Sequence, residues 1–184
     1  MIHIDTERLV IRPYKISDLD DHYKILSDKK NLYYLDDIVT STKEDAKLNL
    51  LEAIWLNEND KARRLAITFA HKPQLIGSVG YDIIETTPLG KIGHMGWFIL
   101  PKHQNKGYIT EAVKSVLKFA FDEDNCFRIT TGCHKENIAS MRVMEKIGFK
   151  LEAEKIKAVY HDGIMKDRLE YAINKDDYIY KLRF

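Results

Sequence analysis

The 184-residue sequence predicts one α/β domain over residues 1–184, built on a mixed α+β sheet with helices on both faces. Three observations predict it. The hydrophobic period changes from about 3.6 residues to about 2 near Arg64, and back near Thr110. Ile92–Leu100 is apolar at almost every position, the pattern of a strand covered on both sides. The 4 Pro and 9 Gly are scattered singly, with no repeat or linker to divide the chain.

Each element follows from local signals. Glu7–Tyr14 alternates around Leu9 and Ile11 and stops at Pro13, which suits an edge strand. Ser17-x-x-Asp20 reads as a helix cap, and Leu19, Tyr23 and Leu26 recur at helical spacing. Thr42-x-x-Asp45 opens a second helix whose stripe is Ala46, Leu50, Leu51 and Ile54. Leu65, Ile67 and Phe69 then alternate with Ala66, Thr68 and Ala70, and His71–Gln74 turns the chain into Leu75–Ile84 as a hairpin. A loop over residues 85–90 leads to Ile92–Leu100. Val113, Val116, Leu117, Ala120 and Phe121 mark the cleanest helix, starting near Thr110. Phe127–Cys133 is a short strand, and Asn137 caps a helix that ends before Gly148. Phe149–Ile156 and Asp167–Ile173 form a final hairpin around His161-Asp162-Gly163.

Composition narrows the function. Lys and Arg number 29 against 28 Asp and Glu, a formal charge of +1, with no block of like charges. That argues against a nucleic-acid arm or a polybasic membrane patch. No uncharged apolar stretch reaches the roughly 18 residues of a membrane span, and Met1–Arg8 lacks an apolar signal core, so a cytoplasmic protein is expected. Cys126 and Cys133 are expected as reduced thiols, and Cys126-x6-Cys133-His134 does not have the spacing of a structural zinc site, so no metal is expected.

The chemistry concentrates in residues 92–120. A buried strand runs through the loop Lys102-His103-Gln104-Asn105-Lys106-Gly107 straight into the strongest helix. Unpaired N–H groups of a first helical turn, the positive end of its dipole and Lys102 and Lys106 would converge on a phosphate. A plain strand-to-helix connection with solvated lysines is the alternative. No Gly-x4-Gly-Lys-[Ser/Thr], Gly-x-Gly-x-x-Gly or Gly-x-Ser-x-Gly motif occurs.

Gln104-x-x-Gly107 with Tyr108-Ile109-Thr110-Glu111-Ala112, followed by Asn137-x-x-Ser140-x-x-x-Met144-Glu145-Lys146-x-Gly148-Phe149, resembles the GNAT superfamily of acetyl-CoA-dependent N-acetyltransferases. Thr6-Glu7-Arg8-Leu9-Val10-Ile11-Arg12-Pro13 and Asp162-Gly163-x3-Asp167-x3-Tyr171 resemble its ribosomal-protein N-terminal alanine/serine acetyltransferase branch. The resemblance implies a GNAT-like domain whose mostly antiparallel, twisted sheet contains one splayed parallel pair. It also implies acetyl-CoA as co-substrate. Main-chain amides of Gln104, Asn105, Lys106, Gly107, Tyr108, Ile109 and Thr110 would wrap the pyrophosphate, and Phe98, Ile99 and Leu100 would meet the pantetheine arm where the strands part. Asn137, Met144 and Lys146 would complete the coenzyme site, and Ser140 would serve both that site and the leaving sulfur. Two residues depart from the family pattern. Asn105 replaces a frequent Gly, which Asn tolerates because it visits left-handed backbone, and the β-branched Ile109 replaces Gly or Ala and could hold the pyrophosphate off the helix end. Where many relatives place a Tyr acid, Met144 cannot donate a proton.

The transfer needs a neutral amine, an N–H near Phe98–Leu100 for the developing oxyanion, and an acid for the sulfur. The resemblance puts His94 at the position of the family's base, with Glu85 as substitute and a packing or hydrogen-bonding role for His94 as the alternative. Without the resemblance, Asn137 and Ser140 read as a helix cap and its N3 residue. Cys133 could line the thiol end or simply pack. Tyr160, His161, Tyr171, Tyr178 and Tyr180 could shape the acceptor pocket or a homodimer surface, or belong to the core. The expected acceptor is the α-amine of a protein or peptide. A small amine such as a polyamine, amino acid or aminoglycoside is the alternative, and a non-catalytic acyl-CoA sensor is the rival from another class.

Overall fold

The computed structural model describes residues 2–30, 32–35 and 38–182. The strands are β1 (Ile4–Asp5), β2 (Leu9–Pro13), β3 (Ala62–Phe69), β4 (Lys72–Thr87), β5 (Gly90–Ile99), β6 (Cys126–His134), β7 (Lys150–His161) and β8 (Ile164–Asn174). The helices are α1 (Leu19–Leu26), α2 (Lys43–Glu58), α3 (Tyr108–Asp122), α4 (Ile138–Ile147) and α5 (Lys175–Leu182). Among the described residues the eight strands form one sheet in the order β1-β2-β3-β4-β5-β6-β8-β7. It is mixed, because β5 and β6 are parallel whereas β6 and β8 are antiparallel.

Two compact units make up the chain. The first draws on Met1–Asp82 and Trp97–Val116, the second on Ile83–Gly96 and Leu117–Phe184. In the first, Leu65, Ala66, Ile67 and Thr68 of β3 are buried in succession, so both faces of that strand are covered. Tyr14, Ile25, Leu26, Leu50, Ala53, Ala66 and Leu75 form one apolar cluster among α1, α2 and the sheet. In α2 the buried stripe is Ala46, Leu50 and Ala53; Leu51, expected inside, is 41% exposed because Ala53 takes the inward position. Thr42 caps α2 as expected, its Oγ1 accepting from the Asp45 N–H at 3.1 Å.

Two expectations about the first helix and strand change. Asp18, not Ser17, organises the start of α1: its carboxylate accepts from both Arg12 Nη atoms and from the Lys15 N–H, each at 2.8 Å. The strand β2 is second in the sheet rather than at its edge. Its outer neighbour β1 covers only Val10 and Ile11, which leaves Pro13 free of any demand for an N–H on that side.

In the second unit the β7–β8 hairpin closes through Asp162 (φ 51°) and Gly163 (φ 81°), the paired left-handed conformations of a tight hairpin turn. The helix α4 ends at Gly148 with φ 108°. The expected α3 stripe is fully buried from Val113 to Phe121. The sequence reading passed over β1 and α5. It also placed β5 under full cover, yet only Gly90, Gly93, Met95 and Ile99 of that strand are buried and Gly96 is exposed. Among the described residues, no helix is long and apolar enough to cross a membrane.

Candidate active site

The link from β5 to α3 is built to leave amides open. Pro101 begins a short 3-10 turn over Pro101–His103, after which Asn105 (φ 58°) and Gly107 (φ 79°) both take left-handed backbone. The first helical hydrogen bond runs from Glu111 N–H to Gly107 O, 3.0 Å, so the N–H groups of Tyr108, Ile109 and Thr110 have no main-chain acceptor among the described residues. Such successive outward amides at a helix start form an anion cradle. Residues 104–107 are exposed, and Lys106 folds back to donate to Lys102 O at 2.9 Å. The Ile109 side chain is buried, 8% exposed, so it packs into the core instead of standing over the open amides. That removes the crowding its β-branch suggested.

A brace from the turn between β1 and β2 fixes this helix start from the side. The Glu111 carboxylate accepts from Thr6 Oγ1 (2.6 Å), Arg8 N–H (3.1 Å) and Arg8 Nε (2.7 Å). Arg8 also donates to Lys106 O at 3.0 Å and lies over the Tyr108 ring, 4.5 Å from its centroid. Burial pushes the Glu111 carboxyl up, but these donors outweigh it and hold it below the usual carboxylate range. Burial, then Lys102 and Lys106, lower His103, whose ring meets Phe69 edge-on at 5.2 Å. No local pattern signals this brace, because its partners lie 103 and 105 positions apart in the chain.

The main-chain groups of β5 divide between its two edges, because alternate residues of a strand bond in opposite directions. Leu100 N–H donates to Ile76 O at 2.9 Å, and a methyl at Gly77 would sit 2.4 Å from Phe98 O. Phe98 and Leu100 therefore direct their main-chain groups at β4, which corrects their expected role as main-chain donors to a ligand. Ile99 and Trp97 face the other edge, where the register with β6 ends at His94 and Thr130. Ile99 O accepts from Gln104 Nε2 at 3.4 Å. Trp97 was missed by the sequence reading, and strand alternation alone would have found it.

On β5, His94 Nδ1 lies 3.0 Å from Thr130 Oγ1, which itself donates to Gly93 O at 3.2 Å. With that hydroxyl hydrogen committed, Nδ1 is the donor and Nε2 the basic nitrogen. Glu85 lies within β4 rather than in a loop, because the hairpin turns only at Pro88-Leu89; its side chain is exposed and makes no hydrogen bond or ion pair among the described residues. Asn137 Oδ1 accepts from Ser140 N–H at 3.1 Å, so the cap is real, and the Ser140 hydroxyl makes no hydrogen bond among the described residues. Met144 is fully buried, a packing residue out of reach of a ligand. Lys146 is exposed and lies nine residues past Asn137, half a helical turn out of phase, so α4 does not bring the two together. Cys133 is buried, and that burial pushes its thiol up to about 11, leaving it unreactive at neutral pH. Tyr171, Tyr178 and His161 are buried, whereas Tyr160 is 69% exposed. The Tyr180 side chain lies outside the described residues.

Residues 8–150 match the family model of the acetyltransferase (GNAT) domain. The chain belongs to the GNAT acetyltransferase family. The uncharacterized N-acetyltransferase YnaD of Bacillus subtilis is 33% identical over 178 residues, covering 96% of this chain and 99% of that one. A crystal structure of a GNAT-family acetyltransferase from Bacillus anthracis is 30% identical with a TM-score of 0.79, over 95% of this chain and 99% of that one. The fold is also shared with a ribosomal L7/L12 alpha-N-protein acetyltransferase solved with coenzyme A, 20% identical with a TM-score of 0.85, over 96% of this chain and 99% of that one. This GNAT chain is an acetyl-CoA-dependent N-acetyltransferase with an eight-stranded mixed sheet. The open amides of α3 fit the diphosphate of its co-substrate.

Proposed function

We propose that this chain, acting as one domain, acetylates the α-amine of a protein or peptide. The open start of α3 carries the reading, since an amide cradle for a diphosphate, close in the chain to the strand end where the β6 register stops, is what a bound thioester requires. The acceptor class is supported by the N-terminal and C-terminal motifs and by the shared fold with the L7/L12 enzyme.

In this reading the amides from Asn105 to Thr110 hold the diphosphate, with Lys102 and Lys106 adding charge. The outward main-chain groups of Ile99 and Trp97 align the pantetheine arm and supply the oxyanion donor; losing such a donor costs about a hundred- to a thousand-fold in rate. Acetyl-CoA supplies an activated acyl group whose thiol has a pKa of about 8.5, so acid assistance from the Ser140 hydroxyl is modest. The Asn137 amide, its Oδ1 already committed to the cap, offers Nδ2 to the arm. An α-amine of pKa about 7.7–8.0 is partly neutral at pH 7, so a weak base suffices. His94 Nε2 fills that role with its tautomer set by Thr130.

A thiol-release assay over an amine panel tests this. Short peptides with free Ala, Ser or Met termini are expected to turn over, and His94→Ala to lower the rate most where an imidazole is neutral, above about pH 6.5. Coenzyme binding without turnover on any amine would leave a sensor in place of an enzyme. A variant with the parent's pH profile would remove His94 from the chemistry.

A further inference from the structure

One face of the second unit holds two charged atoms that the chemistry above does not use. His94 and Thr130 share that face, as their hydrogen bond requires. The β6–β8 register sets Gly132 opposite Glu170 and His134 opposite Arg168. Paired residues of a sheet present their side chains on the same side, and every second residue along a strand returns to it. Thr130, Gly132, Glu170 and Arg168 therefore line the same surface as His94. Gly96, two residues on from His94, leaves open space: a methyl there would meet nothing within 4 Å.

Gly132 makes the floor. A methyl on it would sit 2.7 Å from Glu170 Oε2 and 2.8 Å from Arg168 Nη2, so both side chains lie folded down over the bare backbone. Glu170 Oε1 accepts from Lys155 Nζ at 3.1 Å and from Arg168 Nε at 3.0 Å. Oε2 accepts no hydrogen bond, and Arg168 Nη2 donates none, among the described residues. The side chains are 22% and 27% exposed. Burial pushes the Glu170 carboxyl up, but Lys155 and Arg168 outweigh it, so the group stays ionised at neutral pH. An unengaged ionic acceptor and an unengaged ionic donor thus lie side by side, mostly out of water, on the face of His94. Neither atom is sealed from solvent, so a ligand carrying an N–H beside an oxygen can meet both in place of water.

We propose that these atoms recognise the acceptor: Glu170 Oε2 takes an N–H of the amine and Arg168 Nη2 donates to the carbonyl oxygen of the same residue. The substrate class is then an α-aminoacyl group, as in a peptide N-terminus or an amino-acid amide. An alkylamine has no oxygen for Arg168, and a polyamine brings further cations to Lys155 and Arg168. This rests on the acetyl-transfer reading and specifies its acceptor.

The test compares alaninamide, sec-butylamine and spermidine, with rates referred to the neutral amine, in the parent, Arg168→Gln and Glu170→Gln. The parent is expected to prefer alaninamide by about tenfold or more in kcat/KM. Arg168→Gln should raise the alaninamide KM about tenfold and leave the sec-butylamine KM unchanged, while Glu170→Gln raises both. The acetyl-CoA KM should stay at its parent value, which a general loosening of the fold would not allow. Equal use of sec-butylamine or spermidine by the parent, or an unmoved alaninamide KM in Arg168→Gln, would overturn the pairing while acetyl transfer stands. A parent that acetylates no amine would overturn both.

Discussion

The start of α4 is closed by its own side chain, whereas the start of α3 is held open from the side. Both helices follow a strand through a short loop, and both leave their first N–H groups without helical partners. In α4, Asn137 turns its Oδ1 back onto the Ser140 N–H at 3.1 Å. Among the described residues no side chain returns to Tyr108, Ile109 or Thr110 of α3; the rigidity comes instead from Thr6 and Arg8 gripping Glu111 one turn in. A helix start stabilised without spending its amides keeps them for an anion, while one that caps itself has already used one of its amides for folding.

The largest break in that contrast is Gly107→Val. At φ 79° a β-branched residue is strained, so the loop must refold and its outward amides turn away. Losing two charge-assisted contacts of about 1.5 kcal/mol each predicts roughly a hundredfold or greater loss of coenzyme A affinity by calorimetry. Unchanged affinity would detach the ligand from α3.

Removing the brace comes next. Glu111→Gln keeps the shape but not the charge, and we expect about a tenfold loss of affinity with about 1–2 kcal/mol of stability. Because Glu111 titrates below its ordinary range in the fold, its contribution is full above that range and fades as pH falls through the lowered value. The parent should therefore lose more stability on acidification than the variant, and parallel pH curves would show the brace to be silent.

The smallest effect sharpens α4. Asn137→Asp keeps the capping oxygen and removes the Nδ2 hydrogens, so the melting temperature should hold while coenzyme A affinity drops about fivefold. Full affinity would reduce Asn137 to a cap.

Much of this was legible in the sequence because it is local. The α3 stripe, the Thr42 and Asn137 caps and the Asp162-Gly163 turn are each set by residues within a few positions of one another. The left-handed Asn105 follows from the same local chemistry. What escaped reading depends on distant partners. Arg8 and Glu111 meet only once the sheet has formed, and Glu170 and Arg168 acquire meaning only when β8 is laid beside Gly132. Leu51 lost its expected burial because a periodic stripe fixes a face only to within about one neighbouring position. Which of residues 97–100 turn their amides outward required knowing that β4 takes Leu100.

The most direct measurement is a crystal structure of the protein with coenzyme A. The account predicts diphosphate oxygens within hydrogen-bonding distance of the main-chain nitrogens of Tyr108, Ile109 and Thr110. A diphosphate bound elsewhere, with those amides turned to solvent or to a side chain, would contradict it.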